Sequence, residues 1–306
     1  MVAVLQNLII NVAKNVVIDT NRFRIPSRGK FSLDSRDPAD TAPFESSDGT
    51  GRLLAKRVHQ LVDLADRLYA QSRWSVLFIF QAMDGAGKDS AIKHVLRGLD
   101  PKATQVYSFK TPSEEELKHD FMWRCLKSLP ERGRIGIFNR SYYEEVLVSR
   151  VHPKIIEQRQ LPPCCVTPHL WRDRFEDIRA IERYLTRNGT VIRKIFLNVS
   201  KTEQRRRFLM RLHNPDKTWK FSLNDINERL RWKEYMSAYE EAMHATSTAE
   251  APWYVVPADN KWFTRLAVAA IALETLESLN LKVPTLSHHD VRALNHARRR
   301  LRFKSK

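Results

Sequence analysis

The stretch Ser75-Val76-Leu77-Phe78-Ile79-Phe80-Gln81-Ala82-Met83-Asp84-Gly85-Ala86-Gly87-Lys88-Asp89-Ser90 decides the fold. An apolar run of buried-strand length enters a glycine-containing turn, and residues 88–99 after it read as a helix. In that setting Gly85 and Gly87 let backbone N–H groups converge on phosphate oxygens. The helix N-terminus adds a positive dipole end, and Lys88 adds a mobile charge. Gly85, Ala86, Gly87, Lys88, Asp89 and Ser90 are therefore the candidate phosphate-binding residues. Two positions depart from G-x-x-x-x-G-K-[ST]: Ala82 stands where the first glycine would be, and Asp89 where a magnesium-binding hydroxyl is usual. Asp84, inside the loop, would repel phosphate unless a cation lay between them, which makes it a candidate ligand for Mg²⁺, with Mn²⁺ as the alternative ion.

Outward from the loop, the runs 104–109, 135–139, 191–199 and 253–256 read as further strands. Segments 53–69, 113–129, 168–187, 201–212 and 224–244 have helical spacing or composition. The alternation predicts an α/β fold with a mostly parallel sheet, helices on both faces and ligands at the carboxyl ends of the strands. The end of the run 135–139 is then informative. Asn139 occupies the place where phosphate-loop proteins commonly put a metal-binding Asp, and an amide brings no charge. Glu144 and Glu145, one turn on, become candidates for the missing carboxylate, and Arg140 for bidentate phosphate binding. A plainer alternative for the two glutamates is a helix start favoured by the dipole. Arg205-Arg206-Arg207 and the loop after them predict a lid over about 205–232, placing Arg205 and Lys220 near phosphate, against the alternative of a solvated helix face.

The 306 residues carry 52 Lys and Arg against 35 Asp and Glu, a formal charge of 52 − 35 = +17. Such a charge suits a polyanionic partner. Apolar residues at 42% and charged residues at 28% exclude a disordered chain. Three cysteines without a C-x-x-C pair indicate neither a zinc site nor a disulfide framework, and so a reducing cytoplasm. The stretch 2–18 is interrupted by Gln6, Asn7, Asn11, Lys14 and Asn15, and reads as neither signal peptide nor membrane span. The predicted division is a polar arm over 1–51, a phosphotransferase domain over 52–282, and a basic tail over 283–306. That tail, with Arg298-Arg299-Arg300-Leu301-Arg302, is read as flexible, with polyanion capture as a second reading.

Taken in order, the phosphate loop, Asn139-Arg140-Ser141-Tyr142-Tyr143-Glu144-Glu145-Val146-Leu147-Val148, Arg150-Val151-His152-Pro153, Trp219-Lys220-Phe221-Ser222 and the segment around Ala258-Asp259-Asn260-Lys261-Trp262-Phe263 resemble the polyphosphate kinase 2 family. The likeness is to its subgroup that accepts both nucleoside monophosphates and diphosphates. The resemblance implies a three-layer αβα sandwich, a P-loop kinase fold with a helical lid. It implies Mg²⁺ dependence, inorganic polyphosphate as donor, AMP or ADP as acceptor with ATP among the products, and assembly as a homodimer or homotetramer. It gives catalytic roles to Asp84, Lys88, Arg140 and Glu145, metal binding to Asp84 and Glu145, and nucleotide binding to Asn139, Tyr143 and Glu144. Which glutamate lies nearer the metal stays open. The alternatives are an ATP-dependent nucleoside monophosphate kinase and a basic nucleic-acid-binding module; neither a membrane nor a nucleic acid is an expected partner.

Overall fold

Every residue of β1 (Ser75–Gln81) is buried, as a central strand covered on both faces requires. In the computed structural model, which describes residues 17–302 apart from 28, 30, 97 and 221, β1 pairs in parallel with β3 (Ile135–Asn139) and β4 (Thr190–Asn198). The outer strands β2 (Thr104–Ser108) and β5 (Trp253–Pro257) complete an all-parallel sheet in the order β2-β3-β1-β4-β5. Two groups of helices cover it. The first is α1 (Thr50–Gln71), α2 (Lys88–Val95) and α11 (Lys261–Glu277). The second is α5 (Glu144–Val151), α7 (Leu170–Arg187) and α10 (Trp232–Thr246). This is the three-layer P-loop kinase arrangement. The helices that leave β1 and β3 belong to different layers, so a crevice opens between the carboxyl ends of these neighbouring strands.

The remaining helices are α3 (Glu114–Leu117), α4 (Trp123–Leu126), α6 (Lys154–Gln158), α8 (Lys201–Leu212), α9 (Leu223–Leu230) and α12 (His288–Arg302). Four expectations change. The helix expected over 113–129 is two short ones, because a capping box between Ser113 and Glu116 starts α3 and Asp120 then turns the chain by accepting from Met122 N at 2.9 Å. The helix expected over 224–244 divides at Arg231 into α9 and α10. The polar arm gains a definite place in its described part. Phe23 and Ile25 are buried, Ile25 N donates to Trp253 O at 2.8 Å, and Arg24 bridges Tyr254 in antiparallel fashion, so the arm borders β5. The tail read as flexible is helical over α12. Residues 1–16, most of the apolar N-terminal stretch, lie outside the described residues. Among the described residues no helix is long and apolar enough to cross a membrane.

Candidate active site

The loop 82–87 leaves the buried end of β1, and α2 begins at Lys88 with Gly87 as its N-cap. Gly85 and Gly87 adopt φ of +80° and +102°, backbone that L side chains rarely enter. A Cβ on Gly85 would stand 2.9 Å from Phe208 Cε1 and 3.3 Å from Gln204 Cγ, so glycine also lets α8 approach. That helix holds the loop from behind. The buried Arg207 donates to Gly85 O at 3.1 Å and Ala86 O at 2.7 Å on one side, and to Ala258 O at 2.6 Å and Asp259 O at 2.9 Å on the other. Its Nε donates to Glu203 Oε1 at 2.7 Å, which uses the last of its donors. Gln204 Nε2 donates to Asp84 O at 2.8 Å. Three consecutive loop carbonyls are thus occupied, and this fixes the peptide planes that a phosphate would meet.

On the open side, Lys88 is buried and donates to Ala82 O at 2.8 Å. Arg140 Nη2 lies 2.8 Å from Asp84 Oδ1, and its Nη1 lies 3.5 Å from Glu144 Oε2. Arg140 follows β3 at φ +65° and donates its N–H to Phe80 O at 3.0 Å, a left-handed turn that places its side chain between the two carboxylates. Burial alone would push the Asp84 carboxyl up, but the Lys88 and Arg140 charges outweigh it and hold the pKa below the usual range. Burial lowers the pKa of Lys88 and raises that of Glu144, each moderated by the opposite charges nearby. Asn139 Nδ2 donates to Asp89 Oδ1 at 2.7 Å.

Asp225 on α9 joins this field: burial and the Asp84 charge raise its pKa, while Arg211, 3.5 Å away, opposes them. The sequence reading passed over Gln204, Arg211 and Asp225. The signal was available in the i, i+3, i+7 spacing of Gln204, Arg207 and Arg211 on one face of α8.

Two expected site residues are placed elsewhere. The Glu145 carboxylate is buried, paired with Arg159 and lying 3.4 Å from Arg174, whose Nη1 also donates to Glu145 O at 2.7 Å. The Tyr143 hydroxyl sits in the core, 2.9 Å from Glu182 Oε1 and 2.8 Å from Thr246 Oγ1, in a network that Lys194 completes. The cause is helical rotation: consecutive residues diverge by about 100°, so Tyr143, Glu144 and Glu145 cannot share one site. Arg205 is exposed on α8, Ser90 Oγ accepts from Arg265 Nη2 at 3.0 Å, and the Lys220 side chain lies outside the described residues. The structure brings together Asp84, the loop amides, Lys88, Asp89, Asn139, Arg140 and Glu144.

Among the described residues no three Asp, Glu, His or Cys side chains form a metal cage. Asp84 and Glu144, on either side of Arg140, offer one or two carboxylates beside a phosphate loop. This donor set suits a divalent ion such as Mg²⁺, whose other ligands are water and phosphate oxygens.

Comparison with known proteins agrees with this fold. A solved polyphosphate kinase 2 from Arthrobacter aurescens TC1 superposes with a TM-score of 0.82 at 37% identity, over 92% of this chain and 99% of that one. An ADP-polyphosphate phosphotransferase of Rhodopseudomonas palustris is 49% identical over 87% of this chain and 93% of its own length. An AMP/ADP-polyphosphate phosphotransferase of Meiothermus ruber is 41% identical over 86% and 95%. The model of the family described as polyphosphate kinase 2 matches residues 45–284, and the chain belongs to that family of enzymes.

Proposed function

We propose that this enzyme transfers the terminal phosphoryl group of inorganic polyphosphate to AMP and ADP, reversibly and with Mg²⁺. The observation that carries the reading is Asp84, a carboxylate inside a phosphate loop that Lys88 and Arg140 hold in its charged form. The names of the Rhodopseudomonas and Meiothermus relatives support polyphosphate as donor and both nucleotides as acceptors. The loop amides at 85–88 bind the donor terminus at the start of α2, and Lys88 exchanges the Ala82 carbonyl for a phosphate oxygen. Arg140 neutralises charge on the transferring group. A nucleotide phosphate oxygen attacks the terminal phosphorus in line; one P–O bond forms and the P–O bond to the rest of the chain breaks, its electron pair leaving with the shortened polyphosphate.

A divalent ion, when bound, supplies further neutralisation of that charge, held by Asp84 together with Glu144 rather than with Glu145. Asn139 and Glu144 face the acceptor, while Arg205 and Lys220 contact the donor chain farther along. The free thiols of Cys125, Cys164 and Cys165 support a cytoplasmic setting. Assembly as a homodimer or homotetramer rests on the family resemblance alone.

The test combines purified protein, Mg²⁺, polyphosphate and ADP or AMP, with no ATP at the start. ATP should form from ADP, and ADP and then ATP from AMP. No nucleotide product under these conditions overturns the proposal. Phosphorylation of AMP by ATP but never by polyphosphate would establish the monophosphate-kinase alternative.

A further inference from the structure

The family match ends at residue 284, and α12 (His288–Arg302) lies wholly beyond it. Local chemistry carries this helix more than burial does, because every residue over 282–301 is exposed, the apolar Leu294 and Val291 at 37% and 42%. Ser287 and Asp290 cap its start reciprocally: Ser287 Oγ accepts from Asp290 N at 3.2 Å, and Asp290 Oδ2 accepts from Ser287 N at 3.3 Å. Arginines in the last turn complement the negative end of the helix dipole. The helix is therefore formed by local interactions and left largely open to solvent.

Its charge is sided. At about 100° per residue, His288, Arg292, His296, Arg299 and Arg300 fall on one face with no acid among them, while Arg298 lies toward the Leu294 side. Asp290, the one acid of the helix, falls on the other face with Leu294, Ala297 and Leu301 and is engaged by the Ser287 cap. Residues 283–306 hold seven Lys and Arg against that single acid. Fifteen residues of helix span about 22 Å, room for several consecutive phosphates.

We propose that α12 is a second, non-catalytic anion site, an arm that holds the distal part of a long polyphosphate chain while its terminus reacts at the phosphate loop. The proposal rests on the reading of polyphosphate as donor. A flexible linear polyanion is the partner that this surface fits. It needs charge at intervals and no shaped pocket, and only a chain long enough to span from the arm to the loop would engage both.

The test variant is Arg292→Gln/Arg299→Gln/Arg300→Gln in the full chain, which keeps the cap and the helix formers. ADP phosphorylation is followed with long-chain polyphosphate and with a short oligophosphate that cannot reach both sites. The expected result is a KM for the long chain raised about tenfold. The dependence of log kcat/KM on log salt should be shallower by about two, because each of the three arginines that no longer pairs with a phosphate removes roughly 0.7 from the slope. The value of kcat and both short-chain constants should match the parent. An unchanged long-chain KM, or a short-chain KM that rises equally, overturns the proposal. So does loss of an oligomer in sedimentation, which would assign the helix to a second copy. So does parental binding to anionic vesicles or duplex DNA that is tighter than binding to polyphosphate and is lost in the variant. If neither protein makes ATP from polyphosphate, the functional reading has failed; the arm is then judged by direct titration with long-chain polyphosphate, where equal affinities overturn it.

Discussion

Glu144 and Glu145 are neighbours in the first turn of α5, yet they belong to two charge clusters of opposite character. Glu145 is sealed: its side chain is 4% exposed, with Arg159 at 9% and Arg174 at 5%, and Ser149 Oγ lies 3.4 Å from it. Arg174 is further held over the Phe121 ring at 4.9 Å. Glu144 reaches Arg140, which is 37% exposed and shared with an Asp84 that is 33% exposed. The first cluster turns its hydrogen bonds inward, and its unpartnered donor, Arg159 Nε, is sealed away from solvent. The second keeps lone pairs and donors at the mouth of a crevice, where a phosphate or a cation can take them. Burial and charge alone do not mark a functional site; unspent coordination does.

The largest effect should come from the open cluster. Asp84→Ala and Lys88→Ala should each lower kcat/KM for polyphosphate-dependent ATP formation by about 10²–10³ or more, while the melting temperature stays within a few degrees of the parent. Turnover that survives both changes would remove the open cluster from the chemistry and collapse the contrast.

The same conservative change at the two neighbours should then give opposite outcomes. Glu145→Gln strips Arg159 and Arg174 of their counter-charge in the interior and should cost about 3–5 kcal/mol in urea unfolding, with kcat per folded molecule little changed. Glu144→Gln should abolish most turnover and yet stabilise. Burial raises the Glu144 pKa in the folded state, so the native protein holds that proton more readily than the unfolded chain does. Its charge therefore costs stability as pH rises from the unfolded value through the folded one. Without added metal, the Glu144→Gln protein should melt above the parent at neutral pH and converge with it in acid. A destabilised Glu144→Gln protein would show the two clusters to be alike.

A smaller effect concerns the back of the loop. Lys cannot reproduce a planar guanidinium that bridges four carbonyls on two sides, so Arg207→Lys should lower kcat/KM about tenfold, at the modest end of what a misplaced reacting group costs. Hydrogen exchange at residues 84–87 should quicken before any substrate is added. An arginine that acted only on phosphate would leave that exchange unchanged, so unaltered protection would refute the positioning role.

These contrasts also mark what the sequence discloses. β3 and α8 are readable to the residue, the first as a buried apolar run ended by Asn139, the second because Ser200 caps it by accepting from Glu203 N at 3.0 Å. Asp84, Lys88, Arg140 and Glu144 are readable because motif and strand end place them at one crevice. The helix α11 escaped because it is buried along most of its length and carries no polar stripe. The separation of Glu144 from Glu145 escaped because it depends on where Arg159 and Arg174 sit, far along the chain. In Arg205-Arg206-Arg207, three identical side chains are respectively exposed, ion-paired to Glu203 and buried, and only packing against 84–86 distinguishes the third.

The finest test lies at Asn139, whose Nδ2 donates to Asp89 Oδ1. Asn139→Asp would replace that donor by a carboxylate facing a carboxylate, and the repulsion should push Asp89 off the start of α2 as well as add charge near the acceptor. The ratio of AMP to ADP phosphorylation should shift by a few-fold, of the order of 1 kcal/mol for one hydrogen bond. Two causes could produce that shift, and the double variant Asn139→Asp/Asp89→Asn separates them by restoring the hydrogen bond with its polarity reversed. If Asn139 acts by holding Asp89, the double variant regains the parental ratio. If it meets the acceptor itself, the shift persists with the bond restored. A single variant whose ratio equals the parent would deny position 139 any part in acceptor choice, and would leave that choice to Glu144 at the start of α5.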